Sequence, residues 1–252
     1  MNHHPNIHPG KPVVHAHQLS LWTAERWILE NISFDLFRGA FCVLLGGNGA
    51  GKSSLLRTLA GVLPSSWQVV GRCEVLSEVP CISGKMRSLG VSWLGQHQEV
   101  SEDMTVQEYL SLSGWSGLLP FDTEFSAQCR SDFAVDSLLG DRLSALSGGQ
   151  WQRVRLAQAL SVRANLILLD EPDAALDERW RRVLWRVLVE RKHLGTTVVL
   201  ALHRHLEVQS FVSNWIGLEE GRLVFSEGRP GVYPHAFVER LFLEKSLTRQ
   251  YG

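Results

Sequence analysis

Residues 46–54 read Gly-Gly-Asn-Gly-Ala-Gly-Lys-Ser-Ser. The spacing of Gly46, Gly51, Lys52 and Ser53 is that of a loop that wraps phosphate. Successive backbone N–H groups can turn inward around phosphate oxygens only where side chains are absent, and a helix starting here aims its positive end at the same anion. Gly46, Gly47, Gly49 and Gly51 leave that room, with Asn48 and Ala50 between them. Lys52 is then placed for the β- and γ-phosphates and the Ser53 hydroxyl for Mg²⁺, with Ser54 following in the helix.

A second chemical centre is expected from Leu166-Ile167-Leu168-Leu169-Asp170-Glu171. An apolar strand delivers Asp170 beside the metal, and Glu171, one residue on, can polarise an attacking water. An acid at a strand end is commonplace by itself. Downstream of the glycine loop it specifies triphosphate chemistry.

The surrounding elements must hold these groups. Phe41 to Leu45 is a continuous apolar run that suits a strand buried on both faces, directly before the loop. Ser53 to Ala60 reads as a helix ended by Gly61 and Pro64. Leu166 to Leu169 and Thr197 to Leu202 read as two more buried strands. Between them Trp180, Val183, Leu184, Val187 and Leu188 recur at helical spacing, and Arg181, Arg182, Arg186 and Arg191 are expected on a solvated face. Strand, helix, strand in this order implies an α/β core with a parallel sheet. Ile32, Phe34 and Leu36 alternate with polar neighbours as in a half-buried strand, and Trp215–Leu218 with Leu223–Phe225 flank a hairpin turn. Residues 97–146 are Ser- and Gly-rich, with Thr105 to Leu112 a capped-helix candidate, and read as a helical insertion.

At 252 residues and 44% apolar content the chain can bury a sizeable core. The formal net charge of -1 offers no field for nucleic acid or anionic lipid, so a charged ligand must be held locally. The four cysteines form no CxxC pair and favour neither a disulfide framework nor a metal site. Nothing in the sequence reads as a membrane span or a signal peptide. The start, rich in His and Pro through residue 12, reads as a disordered, solvated tail.

Leu146-Ser147-Gly148-Gly149-Gln150, followed by Trp151-Gln152-Arg153-Val154, resembles the signature motif of ABC-type ATPases. The order of motifs over roughly residues 15–230 is similar too. The resemblance implies a P-loop NTPase core with a parallel sheet, an N-terminal antiparallel β subdomain and an α-helical subdomain inserted at about 97–160, all within one domain over 13–252. It implies further site residues. Gln96 is identified with the Q-loop glutamine that contacts Mg²⁺, with Gln98 as competitor; Asp177 in Ala175-Leu176-Asp177 with the D-loop; His203 with the switch histidine at the γ-phosphate. Trp22 is placed to stack on adenine, with Trp27 as rival. Gly47, Ser54, Asp173 and Arg204 depart from the commonest family residues, and none removes a catalytic group.

Ser147, Gly148 and Gly149 are expected to open a helix and form a second anion site. In the family that site serves the nucleotide of the other subunit. The resemblance therefore implies ATP and Mg²⁺ as ligands and a dimer around two ATP molecules, since each chain carries one loop and one signature; an identical partner is favoured. It also implies a peripheral subunit on the cytoplasmic face of a bacterial inner membrane, driving a permease and, indirectly, a substrate-binding protein. The stretch LSGGQWQRVRLAQAL resembles importers for iron siderophores, haem or cobalamin. An exporter subunit and a soluble ATPase of iron–sulfur assembly stay open as alternatives.

Overall fold

The computed structural model describes residues 10–79, 90–96, 103–115, 123–202, 206–228 and 233–239. The strands are β1 (Val14–Trp22), β2 (Trp27–Leu36), β3 (Phe41–Leu45), β4 (Gln68–Val75), β5 (Val91–Leu94), β6 (Leu166–Asp170), β7 (Thr197–Ala201), β8 (Asn214–Glu219) and β9 (Arg222–Glu227). They form one nine-stranded sheet in the order β4-β1-β2-β9-β8-β3-β7-β6-β5. The helices are α1 (Lys52–Ala60), α2 (Val106–Trp115), α3 (Thr123–Asp132), α4 (Gly148–Leu160) and α5 (Glu178–His193).

The apolar runs become the centre of the sheet. All residues of β3, β6 and β7 are buried; β3 pairs in parallel with β7, β7 with β6 and β6 with β5. Their alternate side chains feed two cores. Phe41, Val43 and Leu45 pack on the side of α4 and α5, whereas Cys42 and Leu44 pack on the side of α1 and β1. Such coverage of both faces is what continuous apolar strands require.

Two strands were not legible beforehand. β1 and β4 pair antiparallel, and β1 also pairs antiparallel with β2. The alternation in β1 breaks at Gln18, where φ is 50° and the register shifts, which hides its period of two. The antiparallel part is not a separate sheet, because Glu30 of β2 pairs in parallel with Arg222 of β9. The hairpin at 219–222 forms as expected, with β8 and β9 antiparallel.

Within the insertion, Thr105 and Glu108 close a reciprocal cap on α2. The Thr105 N–H donates to Glu108 Oε2 at 2.8 Å and the Glu108 N–H to Thr105 Oγ1 at 3.3 Å. These hydrogen bonds hold the Glu108 carboxyl below its ordinary range.

The expected solvated arginine face of α5 needs correction. Arg191 is buried, stacks 3.5 Å over the Phe125 ring and donates to Leu160 O at 3.3 Å. Arg181 donates to Glu207 and, at 3.1 Å, to Leu176 O, and Arg186 donates to Asp132 of α3 at 2.8 Å. These long side chains bridge α5 to neighbouring elements. Arg182 and Arg186 keep to the exposed surface as expected, paired with Glu178 one turn back and Glu190 one turn on.

Candidate nucleotide site

β3, β7, β6 and β5 run in parallel, so their carboxyl ends share one edge, the place where open α/β sheets bind ligands. The glycine loop leaves β3 there, Asp170 ends β6, and Gln96 follows β5. A cavity of about 790 Å³ opens at this edge. Its wall includes Lys52, Ser53, Gln96, Glu171 and Trp27.

The loop conformation depends on glycine at particular positions. Gly46 has φ 155° and Gly51 φ 99°. A Cβ on Gly46 would collide with Leu218 O, and one on Gly51 would lie 2.7 Å from Leu29 Cδ2. Gly51 is the N-cap of α1 and supplies no side-chain cap, so the first-turn N–H groups have no side chain competing for them. Asn48, Gly49, Ala50, Ser53 and Ser54 also line the cavity, while Gly46 and Gly47 contribute carbonyls. Lys52 Nζ donates to both of these, each at 2.9 Å. The ammonium is thus buried yet hydrogen-bonded, at the mouth of the loop.

Asp170 is buried at the end of β6. Burial raises its carboxyl above the ordinary range, opposed by a hydrogen bond from Ser53 and by the charge of Lys52. Its Oδ1 is buried without a hydrogen-bond partner. A carboxylate oxygen left so, beside the Ser53 hydroxyl, fits a divalent cation held jointly with phosphate oxygens. No cluster of three or more His, Cys, Asp or Glu residues suited to a metal occurs among the described residues. Glu171 has φ 50°, a left-handed conformation unusual for a side-chain-bearing residue, and its N–H donates to Ala201 O at 3.0 Å. Strained backbone of this kind concentrates at functional sites. Here it turns the chain at the strand end, where Glu171 joins the cavity wall.

Of the two tryptophans, Trp27 lies in the cavity wall and Trp22 does not. Trp22 instead packs its ring on Trp27, with centroids 4.8 Å apart. Trp27 is thus the member of the pair that faces the cavity, and it is 49% exposed. His203, Gln98 and Arg204 lie outside the described residues, as do residues 1–9 of the expected tail.

The signature stands apart from this cavity. Ser147 caps α4, its Oγ accepting from the Gln150 N–H at 3.3 Å, while Gln150 Oε1 accepts from the Ser147 N–H at 2.8 Å. Gly148 and Gly149 open the helix beside Ala175, whose carbonyl would lie 3.1 Å from a Cβ on Gly149. Ala175 itself has φ 58°. Asp177 caps α5 by accepting from the Trp180 N–H at 3.0 Å. None of these residues is in the cavity wall.

Sequence reasoning missed part of the wall: Arg26, Ile28, Trp67, Glu220 and Gly221. The Glu220-Gly221 turn was legible as a hairpin, but not as a neighbour of the loop. Its place depends on the Gly221 N–H donating to Ala50 O at 3.2 Å and on Gly221 O accepting from the Glu30 N–H at 2.8 Å.

Comparison with known proteins agrees with this geometry. The ABC transporter family model matches residues 29–174. The hemin import ATP-binding protein HmuV of Streptomyces coelicolor is 33% identical over 226 residues, covering 87% of this chain and 79% of that protein. The cytochrome c biogenesis ATP-binding export protein CcmA of Paramagnetospirillum magneticum is 36% identical over 203 residues, covering 77% and 88%. Among solved structures, an ATP-binding subunit of an ABC transporter superposes with a TM-score of 0.79 at 20% identity, over 91% of this chain and 99% of that one.

Proposed function

The chain belongs to the ABC transporter family of ATPases, and from that membership we propose that it powers a bacterial importer, working as a homodimer on a membrane permease. Members of this family bind ATP with Mg²⁺, dimerise and pair with transmembrane permeases. The observation that carries the site assignment is the single cavity wall shared by Lys52, Ser53, Gln96 and Glu171.

The loop N–H groups of Gly46–Ser53 bind the phosphates, and Lys52 shifts hydrogen bonds from the loop carbonyls to the β- and γ-oxygens. Ser53, Asp170 and Gln96 are the residues that would hold Mg²⁺, which offsets charge on those oxygens. Glu171 takes the proton from the attacking water, and His203 hydrogen-bonds the γ-phosphate. The Trp22–Trp27 pair supplies the platform for the adenine, with Trp27 facing the cavity. Ser147, Gly148, Gly149 and Gln150, together with Asp177, complete the site of the second copy rather than their own.

Among the described residues no helix is long and apolar enough to cross a membrane, so the permease supplies the membrane path in this reading. The chain then sits peripherally on the cytoplasmic face of the inner membrane, and an external binding protein acts on it only through the permease. For the cargo we favour an iron chelate, haem or cobalamin. The resemblance of residues 146–160 and the hemin-import relative support it. The export relative supports a second reading, an exporter subunit.

The test is to purify the tagged chain from gently solubilised membranes of its host and identify its partners by mass spectrometry. Recovery of a polytopic permease at about one chain per ATPase chain is the expected result. A chain found only in the soluble fraction, with soluble partners or none, would sink the transporter reading.

A further inference from the structure

Gln152 and Arg155 sit three residues apart on α4, so they share one face of the helix. Both are buried, at 5% and 6% exposure. Gln152 Nε2 donates to Pro172 O at 2.9 Å, Arg155 Nη1 donates to Gln152 Oε1 at 3.0 Å, and Arg155 Nη2 donates to Gly95 O. The run of hydrogen bonds is unbroken. One end is the carbonyl of the residue after Glu171, and the other is the carbonyl that leads into Gln96.

As packing alone this arrangement is expensive. A buried guanidinium costs more than an apolar side chain of similar volume, and Arg155 Nε has no hydrogen-bond partner. Burial also lowers the guanidinium pKa. The Gly95 backbone is tightly placed, since a Cβ there would lie 2.9 Å from the Trp93 ring. Neither Gln152 nor Arg155 lines the cavity, so neither is placed to touch nucleotide.

We propose that Arg155, acting through Gln152, is a positioning residue that fixes Gln96 and Glu171 relative to one another and to α4, whose first turn is the signature. The inference rests on the reading of Glu171 and Gln96 as groups facing the nucleotide. It goes beyond that reading in assigning a single buried element that sets their spacing. Because the pair acts on geometry at the reacting end, its loss falls on kcat and spares nucleotide affinity. A displacement of the Gln96 segment by a docked partner is transmitted along the same bonds to Glu171.

The experiment compares Arg155→Met, Gln152→Leu, the double variant and Arg155→Lys in the full chain, measuring ATP turnover against ATP concentration, ATP affinity by calorimetry and thermal melting. The expected result is a fall in kcat of about 10- to 100-fold for each single variant, the size of effect that small misplacements produce. KM and affinity stay within about twofold, the double variant is no worse than the singles, and Lys recovers part of the loss. A merely structural role would lower the melting temperature and leave kcat per folded molecule unchanged. Unchanged kcat in a folded Arg155→Met protein, or losses that add in the double variant, would overturn the proposal. Should Arg155→Met fail to fold, Gln152→Leu against Arg155→Lys decides it by the same readouts. Glu171→Gln runs alongside: if that variant keeps parental turnover, the underlying site reading fails, whereas if it is inactive and Arg155→Met is not impaired, only the positioning role fails.

Discussion

Helices α1 and α4 both begin at glycine-rich turns, but α1 begins inside a walled cavity and α4 begins at the surface. At α1 the N-cap is Gly51, with no side-chain cap, and Lys52 and Glu171 stand in the same wall. At α4 the Ser147–Gln150 capping box already satisfies two backbone N–H groups, and Ser147 and Gly148 are exposed. Both ends carry the positive pole of a helix. The difference is that α1 is surrounded by groups for chemistry while α4 presents N–H groups with no wall of its own. In the proposed function a second copy brings that wall.

The largest expected effect separates chemistry from binding at the α1 end. Glu171→Gln should lower turnover by about 10²- to 10⁴-fold with ATP affinity unchanged, read by steady-state kinetics beside calorimetry. Turnover near the parental value would remove Glu171 from the chemistry and leave the α1 cavity as a binding site only.

The adenine end comes next. Trp27→Ala should weaken ATP binding by about 5- to 150-fold if the base stacks there, and Trp22→Ala should act less strongly through the support it gives Trp27. The reverse order in a titration would return the stacking role to Trp22.

Substituting the glycines themselves sharpens the contrast. A Cβ on Gly46 would collide with the Leu218 backbone, whereas one on Gly148 would meet nothing closer than Ala175 Cβ at 4.0 Å. Gly46→Ala should therefore lose about 1–3 kcal/mol of stability by overpacking, a fall of about 2–4 °C in Tm for each kcal/mol. Gly148→Ala should melt like the parent and lose turnover instead. Equal melting temperatures for the two would break the comparison.

The smallest effect concerns the cap alone. Ser147→Ala should destabilise α4 by about 1 kcal/mol, measurable as a small drop in the denaturation midpoint. No drop would mean that the hydroxyl is not needed to hold the helix start.

The sequence made the α1 site legible because its demands are local. A phosphate loop must follow a buried strand and precede a helix, and residues 41–60 contain all three. The acid pair of Asp170 and Glu171 was legible for the same reason. Strands β1 and β4 were not, because the break in alternation at Gln18 masks one and exposed residues interrupt the other. The burial of Arg191 and the partial burial of Arg181 were hidden too, since helical periodicity registers a charge as solvated whether or not another element covers it. Nor could spacing reveal that Gln152 and Arg155 reach Pro172 and Gly95, contacts made across the fold.

The most direct test of the central claim, that α1 of one copy and α4 of another make one site, is sedimentation velocity on the Glu171→Gln protein with and without ATP and Mg²⁺. The protein should sediment as a monomer without nucleotide and a dimer with it, and a Glu171→Gln/Ser147→Arg double variant should bind ATP yet stay monomeric. A Glu171→Gln protein that remains monomeric while saturated with ATP would contradict that claim.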